Sequence, residues 1–557
     1  MKNLRILSIV MILALSSCNE SKWLNEEVYS FYSPENSYVT PEHFNSAIAR
    51  IYAEVANVNV CTNDNTAILK GGFADNLYHF YSPEGTVCNY VKNCIPESGI
   101  MSFFWTNYYK IVFDANVIIS RIDDEGITFP SDKQRASLKA EASFFRAWAY
   151  KNLAILFGGV PLILEEIDEP RRDFIRTSRD DVYNQCVTDL QFAVDNLPDV
   201  AELTEDGRLT KAAASHILSE VYLCMKDWDR AISAASAVIN NPAYALMTQR
   251  FGTWKDRPGD VFRDLFIRDN QNRNCTGGPN TEAIWVNQYE YNVPGGGVTE
   301  SGPRFFGVWY WSLQDKNGVP LFISFTNQNG GRAFGFYANN DYINYDIWED
   351  DWNDMRNSEY NIRRDMVADN PESEYYGKKI VESDAILDPG PYNEFWRPFW
   401  AKFVPFDNFP TETIQDPATG VTYTSAMAAF TDSYFIRLAE TYLLRAEAYL
   451  GKGNLESAAA DINVVRRRAN ATPVSAGEVN LDYILDERSR ELEYEEMRVL
   501  TLMRCEKLIE RVKKYNPFFN GKYSSHDIYD YHQLWPVPQS EIERNTDAVL
   551  EQNPGYN

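Results

Sequence analysis

Two distant stretches of this chain are written on one plan. Glu220-Val221-Tyr222-Leu223 is followed by Asp227-Trp228 and Ala231; Glu447-Ala448-Tyr449-Leu450 is followed, at the same spacing, by Asn454-Leu455 and Ala458. Each reads as a helix, a short polar turn and a second helix, with small Ala side chains where the two helices approach. This constrains the fold more than any other feature. A lone helix pair cannot bury both of its apolar faces, so such pairs are stable only when stacked on one another.

The plan resembles tetratricopeptide-type helix pairs. Segments 133–197, 211–240, 434–470 and 481–514 can supply four pairs or near-pairs. Further helices are expected from Thr40-Pro41-Glu42, where Thr caps and Pro takes the first helical position, over Phe103 to Ile122, and over Lys133 to Leu156, which stops at Gly158-Gly159 and Pro161. Another runs from Asp180 to Leu197. Between about 246 and 430 Gly, Asn, Pro and aromatic residues dominate and helical periodicity fades; Glu282 to Val286 reads as a short strand. The expected architecture is mainly α. A helical scaffold (about 41–245 and 431–515) carries a loop-rich variable segment (about 246–430), all within one domain, 41–557. A long loop region in a compact chain is more often functional than idle.

The N-terminus adds an address. Met1-Lys2-Asn3-Leu4-Arg5 precedes an apolar run from Ile6 to Leu15, then Ser16-Ser17-Cys18. Basic region, short apolar run and small residues make a signal peptide, 1–17; the run is too short to span a bilayer. Leu15-Ser16-Ser17-Cys18 resembles a bacterial lipobox, which implies lipid attachment at Cys18 and a tether over 18–40. The alternative is an ordinary signal peptide with a chance cysteine. A net charge of −26, or −28 without Lys2 and Arg5, argues against a nucleic-acid partner. Seven cysteines follow Cys18. Cys186, Cys224 and Cys505 fall in helical patterns, while Cys61, Cys88 and Cys94 lie in a polar, aromatic-rich region where one bridge is plausible in an exported chain. Five His and no metal-ligand spacing identify no metal site or cofactor; a calcium ion among so many carboxylates stays open, though no loop follows the Asp-x-Asp-x-Asp-Gly spacing.

Near the C-terminus, Ile484-Leu485-Asp486-Glu487-Arg488-Ser489-Arg490-Glu491-Leu492-Glu493-Tyr494-Glu495, continued by Arg498, Leu502 and Arg504, resembles a helix of the SusD/RagB family of outer-membrane lipoproteins of Bacteroidetes. Ala140 to Tyr150 with Leu156 to Leu162, Ile436 to Ala448, Asn463 with Arg466 to Ala469, and Trp535-Pro536-Val537-Pro538 with Gln552 to Tyr556 are similar to other family segments. The acidic and basic residues of 486–495 stand three and four apart, where opposite charges can pair along a helix, so they read as scaffold. The resemblance implies a cell-surface protein that binds a nutrient, usually a glycan, and hands it to a SusC-like TonB-dependent transporter in the outer membrane without chemistry.

Sugar recognition needs flat rings for C–H faces and polar groups for hydroxyls. Two regions supply both. One holds Asp75, Asn76, Tyr78 and Tyr81, with Asn89 and Tyr90 nearby. The other holds Tyr291, Asn292, Trp309, Tyr310, Trp311, Tyr342 and Tyr345, with Tyr289, Asn340 and Trp348. Trp309 and Trp311, two apart, face one side of an extended chain, as a stacking platform or as a buried strand face. Trp285, Trp105, Tyr108 and Tyr109 read as core. Three alternatives stand: a peptide-capturing relative, a structural subunit whose only ligand is its transporter, and an exported glycoside hydrolase. The last needs two carboxylates across a groove, for which Glu349-Asp350-Asp351 and Asp354, beside Trp348 and Trp352, are candidates.

Overall fold

A computed structural model describes residues 37–79, 87–386, 396–522 and 526–556. The expected signal peptide, the Cys18 lipid site and Tyr81 lie outside the described residues.

The scaffold is built from α1 (Pro41–Asn59), α2 (Gly99–Arg121), α3 (Asp132–Phe157), α4 (Arg179–Asn196), α5 (Lys211–Cys224), α6 (Trp228–Ile239), α7 (Leu438–Gly451), α8 (Leu455–Arg468), α9 (Leu481–Leu492), α10 (Arg498–Arg504) and α11 (Leu508–Tyr515). Each of α3 to α8 packs on the next, and α1 and α2 cover the N-terminal end of the stack. The stack is unbroken across the loop-rich segment: α6 lies directly on α7, although that whole segment separates them in sequence. Helix α3 is buried on nearly all sides from Leu138 to Phe157, as a helix at the centre of a stack must be. Its polar groups are paired, Arg146 with Asp189 at 2.7 Å and Lys151 with Glu220 at 2.5 Å.

The repeated plan is a repeated hydrogen-bond pattern. In the α5–α6 turn the amides of Lys226 and Asp227 donate to the carbonyls of Leu223 and Tyr222; in the α7–α8 turn those of Gly453 and Asn454 donate to Leu450 and Tyr449. Asp227 and Asn454 then cap the following helices, accepting from Arg230 N and Ser457 N. After α10 the turn recurs, with Glu506 and Lys507 bonding back to Met503 and Leu502. Its left-handed residue is Lys226 (φ 58°), Gly453 (φ 79°) and Glu506 (φ 56°) in turn. At the other end of the scaffold the expected signatures act as clamps. Gly158 (φ 78°) ends α3, Trp535 N donates to Leu156 O at 2.7 Å, and Asn553 Nδ2 bonds the carbonyls of Phe157 and Trp535.

The loop-rich segment is held to the scaffold by short antiparallel strands. β1 (Leu77–His79) pairs with β3 (Tyr337–Asn339), and β2 (Ala283–Asn287) pairs with β8 (Ser433–Arg437). Between β3 and β8, β4 (Ile362–Arg363) pairs with β5 (Phe399–Trp400) and β6 (Ile414–Asp416) with β7 (Val421–Thr422).

The charged residues around α9 are scaffold, as expected, but they pair across elements rather than along the helix; among these only Arg490–Glu487 is an along-helix pair within the described residues. Arg437, fully buried, reaches Glu282 at 2.5 Å, Glu491 at 2.9 Å and Glu495 at 2.6 Å. Arg356 reaches Asp354, Glu487 and Glu491, Arg468 reaches Glu282 and Glu491, and Lys402 reaches Glu495. Arg466 closes the set on Glu487 and Asp351. With Arg490, six cations thus meet six carboxylates, which is how charges removed from water are tolerated. These cations hold Glu487 down to about 2 and Glu491 and Glu495 below the usual carboxylate range, against the upward push of burial.

The bridge left open by the sequence is not formed. Cys61, Cys88 and Cys94 are buried free thiols; Cys94 Sγ lies 3.2 Å from Tyr556 Oη, and burial raises all three thiols. No helix among the described residues is long and apolar enough to cross a membrane.

Candidate functional site

The β1–β3 ladder joins the two regions that the sequence singled out: Leu77 faces Asn339, Tyr78 faces Ala338 and His79 faces Tyr337. At its open end lies a cluster of half-buried rings. Trp309 and Trp311 have centroids 5.3 Å apart, Phe334 sits 5.8 Å from Trp309 and 5.7 Å from Trp311, and Phe336 continues the row 5.8 Å from Phe334. His79 stands 6.4 Å from Phe336. Arg332 lies over Phe334 and the exposed Arg304 over Phe336, at 4.9 Å and 5.4 Å, so guanidinium donors border the rings.

Local sequence builds this platform. Arg332, Phe334 and Phe336 alternate with Ala333 and Gly335, placing bulk outward and small residues inward. The inward side has no room to spare: a Cβ on Gly335 would meet Gly307 O at 2.1 Å, and one on Gly307 would meet Ala333 Cβ at 2.7 Å. Phe334 N donates to Pro303 O, Phe336 N to Arg304 O and Trp311 Nε1 to Ala333 O. The backbone around Trp309 and Trp311 is a tight turn over Tyr310–Ser312 rather than the extended chain expected from their spacing, yet their rings still adjoin.

The other expected site residues divide. Asp75 is fully buried; its carboxylate accepts from Arg498 Nε at 2.8 Å and Arg511 Nε at 2.5 Å, and these guanidiniums hold its pKa well below the usual range. Asn76 is buried with its amide donating to Glu493 at 2.9 Å. Tyr310 is buried, donating to Gly331 O and accepting from Thr326 N. Tyr78 is buried against Phe518. These four are core, because each is buried and held by contacts inside the protein. Asn89 and Tyr90 are likewise buried, and Asn340 caps a short turn. Tyr342 is half-buried, stacked at 3.7 Å on Tyr515; Tyr345 is exposed beside Arg364. Tyr291 packs edge-on to Phe430, and Asn292 is an exposed turn residue at φ 58°. Trp285, Trp105 and Tyr108 are core as expected, while Tyr109 is half-buried. The sequence reading missed Phe334, Phe336, Arg304 and Arg332, although the alternation from Arg332 to Phe336 carried the signal.

Two of the four carboxylates of the hydrolase alternative are engaged inside the protein. Trp348 is fully buried, Asp354 is buried on Arg356, and Asp351 accepts from Arg466 and from Thr472 N. These groups neutralise arginines rather than face one another across a groove.

Comparison with known proteins agrees with this architecture. Residues 268–556 match the SusD family, and residues 22–223 match a family described as starch-binding associating with outer membrane. A SusD-like protein of Formosa agariphila is 24% identical over 99% of both chains. A second from that organism is 31% identical over 255 residues, which span 44% of this chain and 47% of that one. The starch-binding protein SusD of Bacteroides thetaiotaomicron is 34% identical over 126 residues, 23% of this chain and 22% of that one. Among solved structures, a laminarin-binding SusD-like protein superposes with a TM-score of 0.65 at 23% identity, covering 92% of this chain and 99% of that one. Surface glycan-binding protein A from Bacteroides fluxus gives 0.63 at 22%, with 92% and 99% covered. With more than half of its length matched, and its helical stack shared with these structures, the chain belongs to the SusD family.

Proposed function

We propose that this protein captures an oligo- or polysaccharide on its aromatic platform and passes it, chemically unchanged, to a SusC-like TonB-dependent transporter. The observation that carries the reading is the row of half-exposed rings, Trp309, Trp311, Phe334 and Phe336, bordered by Arg304 and Arg332. Flat rings pack on the C–H faces of pyranoses, and guanidinium donors serve their hydroxyls. The relatives named for laminarin, starch and surface-glycan binding support the same ligand class. Capture without catalysis fits Asp351 and Asp354 near Trp348, which are committed to ion pairs. A lipid on Cys18 would hold the protein at the outer-membrane surface, in keeping with the family description over residues 22–223.

The test is affinity electrophoresis of the chain lacking residues 1–18 against neutral plant, algal and host polysaccharides, with calorimetry and a reducing-end assay on each hit. Binding without release of reducing ends, lost in a W309A/W311A double variant, is the expected result. Binding that survives that variant removes the platform from the account, and release of reducing ends overturns the non-catalytic reading.

A further inference from the structure

A second concave surface opens beyond the platform, at the other end of the strip that carries Phe334. It encloses about 490 Å³ and is lined by, among others, Asn329, Trp352, Arg363, Arg364 and Lys379. Its two consecutive arginines are unlike those of the buried network. Arg364 lies between two exposed rings, 5.5 Å from the Tyr345 centroid and 4.9 Å from that of Trp352. Its Nη2 donates to Asn344 O at 2.6 Å and to Asn357 Oδ1 at 2.5 Å, and its Nη1 to Asn357 O at 3.3 Å. Arg363 lies over Phe406 at 4.6 Å and forms no hydrogen bond among the described residues. Among the described residues neither arginine has a carboxylate within 4 Å, and the Nε of each is buried without a partner.

The surroundings leave this positive charge uncompensated. Asp365 spends its carboxylate on the amides of Met366, Val381 and Glu382, and Glu382 is paired with Lys379 at 2.8 Å. Glu359 and Asp407 are exposed at the rim, where water screens them. Behind Arg363 lies the buried Arg263, also without a carboxylate partner among the described residues; burial, and then Arg363, push it down to about 9. Burial lowers Arg363 as well and brings Arg364 to about 10. In a chain of net charge −26, where the other buried arginines around α9 each meet a carboxylate, a half-buried guanidinium pair with no ion-pair partner among the described residues is a site prepared for an anion from outside. Trp352 is 53% exposed and Tyr345 39%, so rings flank the charge and can hold the apolar face of the same ligand.

We propose that this pocket is a second glycan-binding site, selective for a sugar unit bearing a carboxylate or a sulfate ester, with Arg363 and Arg364 meeting the anion and Trp352 stacking on the ring. The site extends the glycan-capture reading but stands on its own residues. Asn329 and Phe334 are five residues apart, at most about 18 Å of extended chain, so one oligosaccharide can engage both surfaces.

The experiment is calorimetry of the chain lacking residues 1–18 with trigalacturonate and with a sulfated carrageenan oligosaccharide, each beside its methyl-esterified or desulfated counterpart, at low and high salt. At least one acidic probe is expected to bind, at least about tenfold more tightly than its neutral counterpart, with an affinity that falls as salt rises. Binding of the uronate alone, the sulfate alone or both identifies the anion. R363Q removes no hydrogen bond within the protein; it should weaken that probe at least about tenfold with an unchanged melting temperature. W352A, a change at an exposed ring, should weaken it similarly. The W309A/W311A variant should leave acidic trimer binding in place, so loss of neutral-glycan capture and loss of this site are separable. The proposal is overturned if neither acidic probe outbinds its neutral counterpart, or if R363Q and W352A bind as the native protein does.

Discussion

Replacing Arg437 with Met tests whether the buried ion network, rather than helix packing alone, locks the loop-rich segment to the scaffold. Arg437 touches three carboxylates, so a sum of separate pairs would give an implausibly large loss. The geometry gives a smaller one. Without Arg437, Glu282 keeps Arg468 at 3.0 Å, Glu491 keeps Arg468 and Arg356, and Glu495 keeps Lys402 at 2.6 Å. What remains is one uncompensated buried negative charge spread over three carboxylates, the equivalent of a single broken buried pair, or about 3–5 kcal/mol. The pH dependence has a definite sign. The folded-state pKa values of Glu487, Glu491 and Glu495 lie below the ordinary 4.5, so the stability they contribute is present above that value and drains as pH falls toward about 2. In R437M these carboxylates regain higher pKa values and take up protons earlier, which relieves the excess charge. The gap between native and variant therefore narrows on acidification. Urea unfolding followed by tryptophan emission, from neutral pH down to about 4, reads both quantities. A neutral-pH loss under about 1 kcal/mol, or a gap that widens in acid, would refute the reasoning.

Three further outcomes follow from the geometry. W309A and W311A each remove one stacking ring, about 1–1.5 kcal/mol, and should weaken neutral-glycan binding roughly tenfold apiece by calorimetry. Glu493 is buried with Asn76 as its donor, and burial pushes it up to about 8; stability tied to its protonated form is present below 4.5 and lost as pH rises through 8. E493Q should therefore be more stable than the native chain at pH above about 8, by a few kcal/mol, and indistinguishable near pH 4 in the same unfolding assay. A Cβ on Gly451 would meet the Trp228 ring at 2.6 Å, whereas one on Gly453 meets nothing within 4 Å; calorimetric melting should show G451A losing about 1–3 kcal/mol and G453N less than about 1.

Much of the scaffold was legible in the sequence because helices announce themselves locally. Ser131 and Asp227 cap, Gly158 stops, and the Glu220 and Glu447 segments repeat one turn. The site was less legible because its contacts are distant. Asp75 and Asn76 read as ligand residues in an aromatic-rich loop, but the arginines that claim Asp75 lie more than four hundred residues onward. The three-residue β1–β3 ladder is too short to leave a periodic pattern, so nothing local announced that Tyr78 and Tyr337 lie on neighbouring strands. Charges of α9 stood at helical spacing, yet their partners come from Arg356 and Lys402 in the loop-rich segment and Arg437 on β8, where helical spacing carries no information.

The direct contact of α6 with α7 across roughly 200 intervening residues has a consequence for how such a protein can vary. Closing a flexible loop costs free energy only as the logarithm of its length, so halving or doubling this excursion changes the closure term by about 0.6 kcal/mol. Helical stacking therefore sets almost no limit on what is suspended between Ile239 and Leu438. The constraint comes from the points where the excursion is tied down, among them the β1–β3 ladder, Glu282, Arg356, Lys402 and Arg437. A chain that keeps such anchors can lengthen, shorten or rewrite the stretches between them, and so change its cargo without rebuilding the stack.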